Sequence, residues 1–278
     1  MENNELRIDV RKILYDRSPR LAKMLPSFVI NYLRRVVHED DLNAFLDAYG
    51  HLTGMEFVNA YTAHFKQQVN CIGAEQVPNN KRYIFAANHP IGSHDGAIFV
   101  KTVYDNFGPN KALINDLLMN VKPLVPLVVG VNKHGGTGRD SVKSIDEAFN
   151  SDYHIIMFPS GLVSRMVNGK IADLDWKKTV ITRAIRHNRE IVPVYISGRN
   201  TDFFYRFAQI REAIGIKFNL EMLYLVDELY NKIGNTMDLV FGKPIPPERF
   251  DKSQSPTQWA AKLRKHVYKI ADDPSAIF

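Results

Sequence analysis

Cysteine is scarce in this chain: Cys71 is the only one among 278 residues. No internal disulfide can form, which fits a reducing compartment. Cys71 lies in "QVNCIGAEQV", which reads as a strand. A small buried hydrophobe is expected there rather than a reactive thiol. Long apolar runs are missing as well. The longest, such as "PLVPLVVGV" (123–131), reach about half of the ~20 residues that a helix needs to cross a bilayer. The opening residues, "MENNELRIDVRK", hold no apolar signal core. The expectation is a cytoplasmic protein whose membrane contact is peripheral, on the inner face of the cell membrane. Nucleotide fingerprints are also lacking. "VNKHGGTGRDS" (131–141) is glycine-rich, yet it fits neither the phosphate-loop pattern nor the dinucleotide pattern. There are no internal repeats and no low-complexity tracts.

What is present is ordinary globular composition, 45% hydrophobic and 24% charged, enough for a substantial core. Lysine and arginine number 36 against 30 acidic residues, a net charge of +6. That excess favours anionic partners such as an acidic lipid surface, an acyl carrier protein or a phosphorylated substrate. The basic residues are dispersed and no aromatic–basic RNA motif occurs, so nucleic acid is not an expected partner.

Two regions differ in pattern. Residues 1–66 read as helices. Within "LAKMLPSFVINYLRRVVHEDD", Leu21, Met24, Leu25, Phe28, Val29, Tyr32 and Leu33 can share one face, flanked by Lys23, Arg34 and Arg35. Two readings stand: a helix packed on the domain, or an interfacial helix among lipid headgroups. Residues 67–278 alternate short apolar runs with amphipathic ones. Strands are expected at 82–87, 124–131, 153–159, 190–197 and 236–242. Helices are expected near 95–106, 140–150, 176–188, 202–214, 219–233 and 256–271. This alternation predicts an α/β fold, a mostly parallel central sheet flanked by helices, with a helical N-terminal extension. Sites in such sheets gather beyond the strand C-termini.

One such exit carries titratable groups. In "YIFAANHPIGSHDG" the apolar run ends at Ala87, and Asn88 and His89 follow it. Ser93 is placed to cap the next helix, with Asp95 in its first turn. A carboxylate on one ring nitrogen of His89 would fix the tautomer and leave the other nitrogen free to take a proton. The competing account is a loop histidine beside a capping aspartate. A metal set of His89, His94 and Asp95 is disfavoured, because the two histidines lack the helical i, i+4 spacing.

The second exit, "MFPSGLVSRM" (157–166), offers Ser160, Gly161, Ser164 and Arg165. Small residues let backbone amides approach an anion, and Arg165 can clamp a carboxylate or phosphate. A turn followed by a surface arginine competes with that reading. The sequence is not a nucleophile elbow, so a hydrolase serine is disfavoured. Lys133, His134 and Arg139 in the glycine-rich stretch, and Lys177 and Lys178 after Trp176, are weaker anion contacts, with solvated loops and exposed lysines as the alternative.

In order, "NHPIGSHD", "LVVGVNKHGG", "FPSGLVSR" and "IVPVYISG", with the "WKK" helix start between the last two, resemble the blocks of the glycerolipid acyltransferase superfamily typified by lysophosphatidic acid acyltransferases. The resemblance covers roughly 70–245. It implies an acyl thioester donor, acyl carrier protein or coenzyme A, a lysolipid hydroxyl as acceptor, and no metal or redox cofactor. On it, His89 is the general base, Asp95 orients it, and amides near Gly92 or Gly161 hold the oxyanion. Arg165 grips the head group, with Ser160, Gly161, Lys133 and Lys178 nearby. The chain departs from the family in three ways: five residues instead of four between His89 and Asp95, Ser160 in place of a glutamate, and Val163 in place of an arginine. These departures resemble a bacterial branch connected with amino-acid-containing lipids. The alternatives are a 1-acylglycerol-3-phosphate acyltransferase and a non-catalytic lipid-binding protein of the same fold.

Overall fold

The computed structural model describes residues 7–17, 19–114, 119, 121–131, 138–167, 169–216 and 219–278. Five helices come first: α1 (Val10–Arg17), α2 (Pro19–Met24), α3 (Ser27–Val36), α4 (Glu39–Tyr49) and α5 (Met55–His64). The amphipathic stretch read as one helix is two. Pro26 holds the extended backbone of an N-cap. A proline disfavours helical geometry in the residue before it, so α2 stops at Met24 and α3 starts afresh. Met24 and Phe28 are exposed to solvent at 79% and 74%, whereas Ile30 and Val36 of α3 are buried.

From residue 68 strands and helices alternate: β1 (Gln68–Ile72), β2 (Tyr83–Ala87), α6 (Asp95–Phe107), β3 (Asn110–Ile114), β4 (Val128–Gly130), α7 (Gly138–Asn150) and β5 (His154–Met157). Then come β6 (Arg165–Val167), β7 (Lys170–Ala172), α8 (Thr179–Arg186), β8 (Glu190–Ile196), α9 (Asp202–Ala213), α10 (Leu225–Tyr230), β9 (Thr236–Phe241) and α11 (Pro256–Lys269). Seven strands form one sheet in the order β1-β9-β8-β2-β5-β3-β4. Every neighbouring pair is parallel except β8–β9. The mostly parallel sheet expected from the alternation is therefore the one found.

The central strands β2, β5 and β8 are buried on both faces, as parallel sheets require. β2 shows why a continuous apolar run serves here. Tyr83, Phe85 and Ala87 point to one layer with Ile98, Phe99 and Val103 of α6 and Val58 of α5. Ile84 and Ala86 point to the other, with Phe149 of α7, Val180 and Ile181 of α8, and Leu263 of α11. All five β2 residues are fully buried. Val58 joins this core, so the helical N-terminal region packs into the sheet domain through α5.

Three expectations need correction. β3 was not foreseen: "NKALI" is short and carries a lysine, which masks its strand character. Residues 124–127 form a 3₁₀ turn that leads into the strand 128–130. Cys71 does lie in a strand, yet it is exposed. β1 is an edge strand whose five residues all face solvent, so a local apolar pattern could not reveal its exposure.

Candidate active site

The central strands β2, β5 and β8 end side by side, and the loops beyond them interlock. Asn88, the residue after β2, donates Nδ2–H to the carbonyl of Ile196 at 2.8 Å and accepts the Ile196 N–H at 2.7 Å. Its side chain extends the β2–β8 ladder by one step. Asn200, beyond β8, donates to the Ile91 carbonyl at 3.0 Å. The Ser164 N–H, beyond β5, donates to the His89 carbonyl at 2.7 Å. The 88–94 loop is thus pinned from both neighbouring strands before any catalytic group is considered.

On this loop the side chains of His89 and Asp95 meet. His89 Nδ1 lies 2.9 Å from Asp95 Oδ2. The same carboxylate accepts the N–H groups of Ile91 at 3.1 Å and Gly92 at 2.9 Å. Asp95 has no exposed surface, whereas the His89 side chain keeps 18% of its own. A fully buried carboxylate thus occupies Nδ1 while part of the His89 side chain stays exposed. Phe158, the first residue past β5, stacks on the imidazole with centroids 4.1 Å apart and fixes its plane.

The electrostatics agree with the geometry. Burial by itself lowers the basicity of His89, but the charge and hydrogen bond of Asp95, with Asp173 beyond, outweigh it, and the pKa is raised. Burial pushes the Asp95 carboxyl up, yet His89 and the two amides together hold it below the usual carboxylate value. His94 behaves otherwise. It is fully buried, its Nε2 faces the Leu229 carbonyl at 3.0 Å, and burial pushes its pKa down to about 4. It does not converge with His89 and Asp95 on a common metal position.

The extra residue between His89 and Asp95 is accommodated by Gly92. Its φ is +91°, and a Cβ there would sit 2.1 Å from Val163 Cγ1. Val163, which stands where the resemblance leads one to look for an arginine, is the buried residue that closes over this turn. Ser93 does not cap α6. The N-cap is His94, and Ser93 Oγ has no hydrogen-bond partner among the described residues. Asp95 ties the loop down instead, through the amides of Ile91 and Gly92.

Asp173 was not foreseen. It is fully buried and accepts three donors: the His89 N–H at 3.1 Å, the Ser164 hydroxyl at 2.7 Å and the Trp176 indole N–H at 2.8 Å. Its own N–H donates to the Tyr268 hydroxyl of α11 at 2.8 Å, and Arg264 donates to its carbonyl. Within "IADLDW" only the Trp176 indole is local; Ser164 lies nine residues back and the His89 N–H 84 residues away, so the stretch by itself does not announce the role.

The expected substrate contacts fare unevenly. The Arg165 guanidinium is buried and faces Glu221 at 2.8 Å, and Arg211 binds the same carboxylate at 3.1 Å. It also lies over the Phe204 ring. Arg165 is therefore matched inside the protein, where a head-group clamp had been expected. Ser160 is buried and donates to the Leu162 carbonyl at 2.7 Å. The amides foreseen for the oxyanion are also engaged: Gly92 N–H with Asp95 Oδ1 at 2.9 Å and Gly161 N–H with the Phe158 carbonyl at 3.0 Å. Gly161, at φ +71°, makes the turn that brings the Lys177 ammonium over its Cα. Lys178 is exposed at the N-cap of α8. Lys133 lies outside the described residues, as does His134.

Comparison with known proteins shows what the chain is similar to. The chain is 44% identical over 264 residues to a protein named Lyso-glycine lipid O-acyltransferase from Bacteroides thetaiotaomicron, covering 95% of this chain and 97% of that one. It is 43% identical over 264 residues to one of the same name from Phocaeicola vulgatus, covering 95% of each. Among solved structures, the 1-acyl-sn-glycerophosphate acyltransferase PlsC from Thermotoga maritima is similar with a TM-score of 0.46 and 15% identity, over 90% of this chain and 95% of that one. The family model described as "Acyltransferase" matches residues 12–275. With nearly its whole length matched and a buried carboxylate steering the histidine at the end of β2, the chain belongs to the acyltransferase family.

Proposed function

We propose that this protein transfers a fatty acyl group from a thioester, carried by an acyl carrier protein or coenzyme A, to the hydroxyl of a lyso-glycine lipid. The observation that carries the reading is the His89–Asp95 pair, with one ring nitrogen taken by a buried carboxylate and the ring still accessible. Asp95 keeps the proton on Nδ1, so Nε2 is the basic nitrogen. The acceptor hydroxyl gives its proton to Nε2 as its oxygen attacks the thioester carbonyl carbon. The tetrahedral adduct then collapses, the C–S bond breaks, and the imidazolium returns the proton to the leaving thiolate. Atoms and charge balance without a metal or redox partner.

The acceptor class rests on the names of the two relatives and on the third block. In that block, the arginine that the resemblance assigns to an acceptor phosphate is replaced by buried Val163, and Arg165 is already paired with Glu221. This favours a lipid without a phosphate head group over 1-acylglycerol-3-phosphate. No helix among the described residues is long and apolar enough to cross a membrane. Exposed Met24 and Phe28 support peripheral contact of the N-terminal helices with the inner face of the cell membrane.

The test offers purified protein a labelled acyl carrier protein thioester or acyl-coenzyme A, with lyso-glycine lipid and 1-acylglycerol-3-phosphate in competition. The expected product is the diacylated glycine lipid, lost in His89→Ala. Product from the phosphate acceptor alone would overturn the acceptor class, and full transfer by His89→Ala would overturn the mechanism.

A further inference from the structure

α9 carries two apolar stripes where a helix on a globular domain needs one. Phe204, Tyr205 and Ala208 face inward and are buried. Phe203, Phe207, Ile210 and Ile214 recur at i, i+4, i+7 and i+11, so they line up on a second face. That face is turned to solvent: Phe203 is 52% exposed, Ile210 59% and Ile214 65%. The row is not isolated. Phe203 and Phe207 stack on each other and both meet the ring of Tyr224 edge-on. The Tyr224 hydroxyl lies 2.7 Å from that of Tyr32 on α3. One turn before Tyr32 stands exposed Phe28, and Met24 lies just beyond it at the end of α2. The tyrosine pair therefore joins the exposed apolar residues of the N-terminal helices to those of α9, across 192 residues of chain.

We infer that α9 and α3 together form a single bilayer-facing surface, with the Phe203–Ile214 stripe entering the headgroup region beside Phe28. The inference rests on the reading of the acceptor as a membrane lipid. A bilayer is favoured as occupant by what borders the stripe. Lys23, Arg35 and Arg206 are exposed, adjoin Met24, Tyr32 and Phe207 within a turn, and have no ion-pair partner among the described residues. Cations beside an apolar stripe, with tyrosines at the junction, are suited to anionic headgroups over an acyl boundary. Exposed apolar patches of this extent mark interaction surfaces. The consequence is orientation. A surface fixed at two elements holds the molecule against rocking on the membrane, and α9 begins at the loop where Asn200 holds Ile91, two residues past His89.

The test is sedimentation with mixed phosphatidylcholine–phosphatidylglycerol vesicles. It compares the intact protein with Ile210→Asp/Ile214→Asp, Phe28→Asp and a control, Ile277→Asp, at an exposed residue outside the patch. The α9 double variant should lose vesicle binding by about tenfold or more, as removal of two apolar contacts implies. Phe28→Asp should lose binding in the same direction, and the control should bind like the parent. Transfer to a short-chain, monomeric lysolipid should persist in the double variant, which shows that it folds. Vesicle binding unchanged in the double variant overturns the inference. So does a dimer of the intact protein that the double variant splits while vesicle binding survives. If the parent binds vesicles but transfers to no lysolipid at all, the acceptor reading fails and the membrane face stands.

Discussion

The carboxylate of Asp173 accepts the backbone N–H of His89 at 3.1 Å across 84 residues of chain. With the Ser164 N–H on the His89 carbonyl, both backbone polar groups of the histidine are held. The side chain is then aimed by Asp95 and Phe158. Asp173 thus fixes the main chain of His89, the residue proposed as the base.

Asp173→Ala should therefore lose both stability and turnover. It strands the Ser164 hydroxyl, the Trp176 indole and the His89 amide in a buried site, at about 1–3 kcal/mol for each unsatisfied group. Denaturant unfolding measures the first loss. Transfer assays below the new unfolding midpoint measure the second, which should fall in kcat rather than in acceptor KM. A variant that is destabilised yet keeps the parent kcat would leave Asp173 a purely structural residue.

The pH profile carries a sign. On the proposed mechanism His89 must be neutral to act as the base, and Asp95 raises its pKa above the ordinary imidazole value. Activity should rise with pH through that raised value and be lost below it. In Asp95→Asn the carboxylate charge is gone and burial, which lowers the pKa, prevails. The acid limb should move to lower pH while kcat drops, because the tautomer is no longer held. His89→Ala should lose about 10²–10⁴-fold in rate. A kcat/KM profile whose acid limb does not move in Asp95→Asn would separate the limb from His89.

Two glycines in neighbouring positions should respond oppositely. Gly92→Ala forces a side chain into a left-handed backbone, about 1–2 kcal/mol, and into Val163 besides. It should lower the unfolding temperature and disturb the amide that holds Asp95. Gly96, in the first turn of α6, meets nothing within 4 Å at its Cβ position. Gly96→Ala should be neutral or stabilising, by up to about 1 kcal/mol.

The buried Arg165–Glu221–Arg211 cluster makes a further contrast. Glu221→Gln removes the buried carboxylate that both guanidiniums contact and should cost about 3–5 kcal/mol. Arg165→Met leaves the Glu221–Arg211 pair and should cost less. Because Arg165 is engaged with Glu221, that variant should keep the parent's preference between carboxylate and phosphate acceptors. A collapse of acceptor affinity in Arg165→Met, with the fold intact, would restore it as a head-group clamp.

How much of this was legible beforehand depends on the range of the interaction. β2 announced itself, because a strand buried on both faces must be apolar throughout and "YIFAA" is. His89 and Asp95 stand six residues apart, so one loop sufficed to suggest their pairing. β3 was hidden by its brevity, and Cys71 by an edge position that no local pattern encodes. Arg165 looks like a free clamp in the sequence because its partner, Glu221, lies 56 residues away.

The sequence by itself determined the alternation of buried strands and amphipathic helices, and with it the sheet and the exit that bears the histidine. Those are local consequences of where apolar and small residues fall along the chain. Only the tertiary structure decided which charges were already matched, which amides were spent on turns, and that α9 shares an apolar surface with α3. The physical reason is that burial and pairing are properties of space. Tyr32 and Tyr224 become neighbours only after 192 residues have folded between them.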